Sequence, residues 1–193
     1  LLKNLVRTGV VHWEKFICKV KKIQPISDSR YGLLCIRTIK YKGQTIKFAD
    51  NHFLNKGDFI IELHISNVVL AKGAVGDATV ASDLQIFPYI REDLFLLGKY
   101  LRSQCPHTKI KAIGGVTIHG PGIRRFGFTL YPGQKSLSNT LASIWMKLLR
   151  WGFSHPKEIV RIRKHHPRHL EYFYMPITQF LDKYGVLAVL KHE

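Results

Sequence analysis

The chain has 193 residues, of which 46% are hydrophobic, and a formal net charge of +17. That length suits one compact domain, and the apolar fraction excludes disorder as the global state. The longest near-apolar stretch, Phe59–Leu70, is broken by Glu62, His64 and Asn67, so no run approaches the ~20 residues that span a bilayer. Residues 1–193 are therefore read as a single domain, with 153–193 as a basic, helical C-terminal segment. The chain opens on Leu1 rather than Met, which fits the C-terminal part of a longer protein.

Gly9–Lys22 reads as an amphipathic helix. Val10, Trp13, Phe16, Ile17 and Val20 recur at helical spacing, with Thr8 placed to cap it. Pro25 and Ser27-Asp28-Ser29 end it in a loop. From Gly32 the period shortens to two, giving a strand through Lys40, a turn at Lys42-Gly43 and a return strand over Gln44–Phe48. A turn at Lys56-Gly57-Asp58 launches Phe59–Val69, which completes a three-stranded antiparallel meander. Lys72–Asp83 is Gly- and Ala-rich and reads as a loop or a weakly packed helix. Ile90–Cys105 is helical on the stripe Ile90, Leu94, Leu97 and Leu101, stopped by Pro106.

Lys109–His119 reads as a buried strand in which Gly114-Gly115 marks a bulge or the close approach of another backbone. Gly120-Pro121-Gly122 predicts a sharp turn, and Phe126–Tyr131 another strand. Ser136–Trp151 is the clearest helix, capped by Ser136 or Ser138 and ended by Gly152. A short basic helix follows over Pro156–Lys164. Glu171–Met175 is a last strand, and Pro176 opens a helix over Ile177–Tyr184. Strands and helices are mixed without strict alternation. The predicted fold class is α+β, an antiparallel sheet of about four to six strands with helices packed on one face.

Charge is concentrated late in the chain: between Asp93 and Glu158 lie ten Lys/Arg and no carboxylate. A field of one sign gathers polyanions, whether nucleic acid, anionic headgroups or acidic cell-wall polymers. A soluble basic domain whose charge only prevents self-association is the plainer alternative. Cys18, Cys35 and Cys105 are three sparse thiols in apolar contexts with no Cys-x-x-Cys. They read as buried small hydrophobes rather than a disulfide framework or a zinc knuckle.

Three constellations could carry chemistry. On a strand, Glu62, His64 and Ser66 share one face and Asn67 lies on the other. A carboxylate beside an imidazole orients it and raises its basicity, as a general acid/base requires; a polar face simply wetted by solvent is the rival reading. Thr117-Ile-His119-Gly-Pro-Gly122 puts a second imidazole at a strand end before a Gly-rich turn. A Glu62/His64/His119 trio has donor types that zinc accepts, but two imidazoles without regular spacing are weak evidence for a metal; no cofactor is the expectation, with zinc the lesser alternative. His155–His169 carries Lys157, Arg161, Arg163, Lys164 and Arg168, and Pro167 breaks any helix that would align His165 with His169. It reads as a solvated basic face, with phosphate contact as the alternative.

Walker, Gly-x-Gly-x-x-Gly and Gly-x-Ser-x-Gly motifs are absent. Arg124-Arg125-Phe126-Gly-Phe128 is too short for an RRM strand, and no basic recognition helix stands out, which argues against nucleic acid. Ser136–Trp151 reads first as a core helix on its wide apolar face, with peripheral membrane contact through Trp145, Lys147, Arg150 and Trp151 as the alternative.

Several strings together resemble a known family. They are Trp13-Glu14-Lys15; Gly57-Asp58 with Glu62-Leu63-His64-Ile65-x-Asn67; Lys111-Ala-Ile-x-Gly-Val116-Thr117; Arg125-Phe126-Gly127-Phe128; His155-Pro156; and Phe173-Tyr174-Met175-Pro176 with Tyr184-Gly185. In order and over nearly the whole chain, they look like the YkoP-like domain, which occurs alone or behind a NodB-type polysaccharide deacetylase domain. The resemblance implies a role in bacterial cell-envelope polysaccharide metabolism. Deacetylase chemistry does not transfer, because the paired Asp-Asp and the His-Ser/Thr-x-x-x-His metal motif are missing from this chain.

The expectation is an accessory module that binds an anionic polymer or cell-wall glycan, with a polysaccharide deacetylase as partner in the same chain or pathway. It would be cytoplasmic or membrane-peripheral if standalone, and extracytoplasmic if fused to a secreted deacetylase. Glu62, His64 and His119 are the candidate catalytic groups, and Asn67, Thr117, Arg124, Arg125, Arg161, Lys164 and Arg168 the candidate ligand contacts. The rival classes are a small hydrolase or transferase acting on a sugar or phosphate ester, and a charge-driven nucleic-acid binder.

Overall fold

The computed structural model describes residues 2–71, 74–75, 78–79, 86–104, 109–117, 120–133, 144 and 170–185. Helix α1 (Leu2–Lys21) leads into strands β1 (Gln24–Pro25), β2 (Leu34–Lys40), β3 (Ile46–Lys47), β4 (Phe53–Leu54) and β5 (Phe59–Ile65). Helix α2 (Asn67–Ala71) and the short strands β6 (Ala74–Val75) and β7 (Ala78–Thr79) precede helix α3 (Phe87–Gln104). Strand β8 (Ile110–Thr117), helix α4 (Gly120–Arg125), strands β9 (Thr129–Pro132) and β10 (Glu171–Pro176), and helix α5 (Ile177–Tyr184) complete the order.

The fold is α+β, as the unalternating element pattern predicts. Six strands form the main sheet in the order β1-β2-β5-β8-β10-β9. Four of its neighbour pairs are antiparallel. The central pair, β5 with β8, is parallel and shifts register between Phe59 and Ile60. The long crossover through α2 and α3 makes a parallel neighbour possible.

Helix α1 begins earlier than expected. Leu2, Leu5 and Val6 extend the apolar repeat backward, and Gly9 is carried inside the helix. Thr8 is therefore no cap; its carbonyl oxygen lies 2.9 Å from His12 Nδ1. Lys22, at φ 52°, takes the left-handed conformation that ends the helix.

The predicted meander is also revised. β2 pairs along its whole length directly with β5, from Leu34↔Ile65 to Lys40↔Phe59. The return segment instead pairs as β3 with β4 in a separate hairpin. Phe48 and Leu54 explain this: both are buried against Tyr41, Ile60, Ala112 and Tyr174, so the hairpin folds over the sheet rather than extending it. Gly120-Pro121-Gly122 opens α4 instead of forming a bare turn, since the fixed φ of proline suits a first helical turn. Ser136–Trp151 lies outside the described residues except for Ile144, and so does Pro156–Lys164.

The sheet buries residues on both faces. Ile61, Leu63, Ile113, Phe173 and Met175 point towards α3 and α5, where Leu94, Leu97 and Phe180 complete the larger core. Gly98 lets the two helices touch at backbone distance, because a Cβ there would lie 2.2 Å from the Tyr184 carbonyl oxygen. On the opposite face, the Tyr174 ring lies over Gly114, where a Cβ would come within 2.2 Å of Tyr174 Cδ1. At Gly114-Gly115 the expected close approach of another backbone is met by the Phe173 and Leu63 carbonyl oxygens, 2.5 and 3.0 Å from where a Cβ would stand, and the Tyr174 and Phe173 rings close in as well.

Candidate functional site

Strand alternation sends Glu62 and His64 to the sheet face away from α3 and α5. Arg37 stands directly across from Glu62 on β2. Its Nε donates to Glu62 Oε2, and His64 Nε2 lies 2.9 Å from the same oxygen. Side-chain exposure is 19% for Arg37, 17% for Glu62 and 33% for His64. Burial alone would push the Glu62 carboxyl up. The hydrogen bonds from His64 and Arg37, with their charges, outweigh burial and hold it at about 2. Glu62 is therefore a fixed anion, suited to orienting the imidazole rather than to donating a proton. The second ring nitrogen of His64, Nδ1, has no hydrogen-bond partner among the described residues.

The same face carries a cluster of tyrosines. The rings of Tyr41, Tyr131 and Tyr172 stand 5.6, 5.9 and 6.5 Å from that of Tyr174. Tyr41 and Tyr174 are buried, while Tyr131 and Tyr172 are half-buried. Burial raises the Tyr174 hydroxyl, and the neighbouring Tyr41, Tyr172 and Glu62 raise it further. The cluster presents aromatic surface on this face.

Ser66 does not join Glu62 and His64. It follows the last residue of β5, and its hydroxyl donates to Glu14 Oε1 on α1 at 3.0 Å. Glu14 also accepts the backbone N–H groups of Asn67 (2.9 Å) and Val68 (3.2 Å). One carboxylate from a distant helix thus holds the first N–H groups of α2, which ends the strand at Ile65 instead of Val69.

That tie places α1 beside the end of β5 and leaves a cleft of about 320 Å³ between them. Val10, Trp13, Ile17, Cys18 and Lys21 form the α1 wall, and Cys35, His64 and Ile65 of the sheet with Asn67 of α2 form the facing wall. His64 and Asn67 therefore meet in one recess. Burial pushes the Cys35 thiol up to about 12, with smaller contributions from Cys18, Glu14 and Asp93; it behaves as an apolar wall. A second groove of about 370 Å³ runs between β2 and the end of α3. Of the Arg37–Glu62–His64 chain it takes in only Arg37.

Thr117 is buried at the end of β8. Strand parity turns it to the α3 side, away from His64. Arg124 and Arg125 are exposed on α4, with the Arg125 guanidinium 5.9 Å from the Phe87 ring. Neither belongs to the cleft. His119, Arg161, Lys164 and Arg168 lie outside the described residues. Among the described residues no group of three or more His, Cys, Asp or Glu side chains could hold a metal ion. As site residues, Arg37, Lys21 and the tyrosine cluster escaped the sequence reading, and Trp13 entered it only as a helix and resemblance position. Arg37 was detectable only through its register with Glu62.

No solved structure matches the chain. A Bacillus subtilis (strain 168) protein named "Uncharacterized protein YkoP" is 25% identical over 108 residues, 55% of this chain and 59% of that protein. The match thus spans less than two thirds of that relative. The YkoP domain model matches residues 3–184, and the chain belongs to the YkoP domain family.

Proposed function

We propose that the protein is an accessory, non-catalytic module of bacterial cell-envelope polysaccharide metabolism, acting beside a polysaccharide deacetylase and binding a glycan in the α1–β5 cleft. The observation that carries this reading is the composition of that cleft: Trp13, His64, Asn67 and Lys21 on one recess. A half-exposed indole offers the flat apolar face on which a sugar ring stacks. An imidazole held by a fixed carboxylate, with an adjacent amide side chain, supplies directional hydrogen bonds for hydroxyl and acetamido groups. Lys21 and the net charge favour glycans bearing carboxylate or phosphate. The volume lies at the lower end of small-ligand sites and suits one or two sugar units.

Calorimetric titration with N-acetylglucosamine oligomers and with polyol-phosphate teichoic acid tests this. Trp13→Ala and His64→Ala should each weaken binding by about tenfold or more, the loss expected when a stacking or buried hydrogen-bonding anchor is removed. Raising the salt should weaken binding only modestly. Failure of the wild-type chain to bind either polymer would refute the reading. A steep salt dependence with both variants unchanged would point to a charge-driven binder instead.

One observation favours a second reading. The 2.9 Å contact of His64 with Glu62 is the geometry of an oriented acid/base acting on a sugar or phosphate ester. In that case His64→Ala would abolish turnover of nitrophenyl glycosides or phosphate esters while the melting temperature held.

A further inference from the structure

Helix α1 carries a feature that the cleft shares only at Trp13 and Lys21 and that runs on past it. Trp13, Phe16 and Val20 are 52%, 58% and 61% exposed. Spacings of three and four residues set them on one stripe of the helix, and the Trp13 and Phe16 rings stand 6.0 Å apart. Lys15, Lys19, Lys21 and Lys22 are exposed on the same helix and its first following residue. The helix contains one acid, Glu14, and that carboxylate is turned inward onto Ser66, Asn67 and Val68. The outward side of α1 is therefore apolar along one stripe and purely cationic beside it.

We propose that this side of α1 lies in the surface of an anionic lipid bilayer. Trp13, Phe16 and Val20 would enter the boundary between headgroups and acyl chains, with the lysines among the headgroups. Charge complementarity selects this occupant. A bilayer containing acidic lipid offers an apolar layer beneath a negative one, which matches both parts of the helix at once. Each lysine near such a surface raises partition by about fivefold, so Lys15, Lys19 and Lys22, which lie outside the cleft, with three apolar anchors suffice for a measurable effect. No helix among the described residues is long and apolar enough to cross a membrane, and the proposed contact lies in the plane of the interface.

The test uses the full chain and sedimenting vesicles of phosphatidylcholine, with and without about one third phosphatidylglycerol. The wild type should pellet with the anionic vesicles and far less with the neutral ones. The double variant Phe16→Glu/Val20→Glu touches no cleft residue. It should keep its melting temperature and lose at least about tenfold in binding to the anionic vesicles. Lys15→Glu/Lys19→Glu should lose a similar amount. Absence of wild-type pelleting overturns the proposal. So does equal pelleting of the Phe16/Val20 variant, which would reduce the effect to bulk charge. If the wild type instead sediments as a dimer that the Phe16/Val20 variant dissolves, with no vesicle binding, a second copy covers the stripe and the proposal fails.

Discussion

With Arg37 on one side and His64 on the other, the Glu62 carboxyl ionises at about 2 instead of its ordinary 4.5. A carboxyl whose value is lowered by folding stabilises the native state above its unfolded value and loses that contribution as pH falls through the folded one. Glu62 should thus contribute on the order of 3 kcal/mol that is fully present above about pH 4.5 and lost towards pH 2. Urea titrations across that window should show a shallower acid limb in Glu62→Gln than in the wild type; parallel limbs would exclude the coupling. At this scale the sequence was half legible. A polar pair two residues apart on an apolar strand announces Glu62 and His64, because alternation alone places them together. Arg37 was hidden, since its role follows from a strand register that no local pattern specifies. Asp93 was hidden too, although it sits three residues after Ile90 within the apolar stripe. It is 3% exposed and accepts the Ser29 hydroxyl and the Leu34 N–H.

At the scale of elements, the junction of α1 with α2 rests on one side chain. Glu14→Ala removes the acceptor for a hydroxyl and two backbone N–H groups that are partly shielded from water. The expected loss is about 1–2 kcal/mol in urea unfolding, with Glu14→Gln losing less. A Glu14→Ala chain as stable as wild type would show that solvent replaces those bonds. Helices α1 and α3 were legible because their apolar stripes repeat over several turns, and α5 because Pro176 marks its start. The end of β5 was not: Ser66-Asn67-Val68 reads as more strand until Glu14 arrives from a distant segment to cap a helix there. The β3–β4 hairpin misled in the same way. Its residues alternate like a sheet strand, but burial of Phe48 and Leu54 against Tyr41 and Tyr174 decides where it lies.

For the molecule as a whole, two antiparallel sets, β1-β2-β5 and β8-β10-β9, meet at the parallel pair β5–β8. The strands were legible one by one, while this junction depends on the crossover between them and left no local mark. Pairing of β2 with β5 closes only residues 41–58, whereas β5–β8 and β8–β10 each join segments far apart in the chain. Closure over shorter loops comes sooner. In pulse-labelled refolding, amides of Cys35–Lys40 and Ile60–Ile65 should therefore gain protection before those of Ile113–Thr117 and Glu171–Met175; the reverse order would contradict this. The same arrangement bears on biosynthesis. While the nascent chain is still emerging, the outer rim of β5 has unsatisfied backbone groups until Ile110–Thr117 clears the ribosome. A product truncated within the crossover keeps that rim bare, and such fragments should recruit the matching strand of an intact copy or pile up as insoluble material.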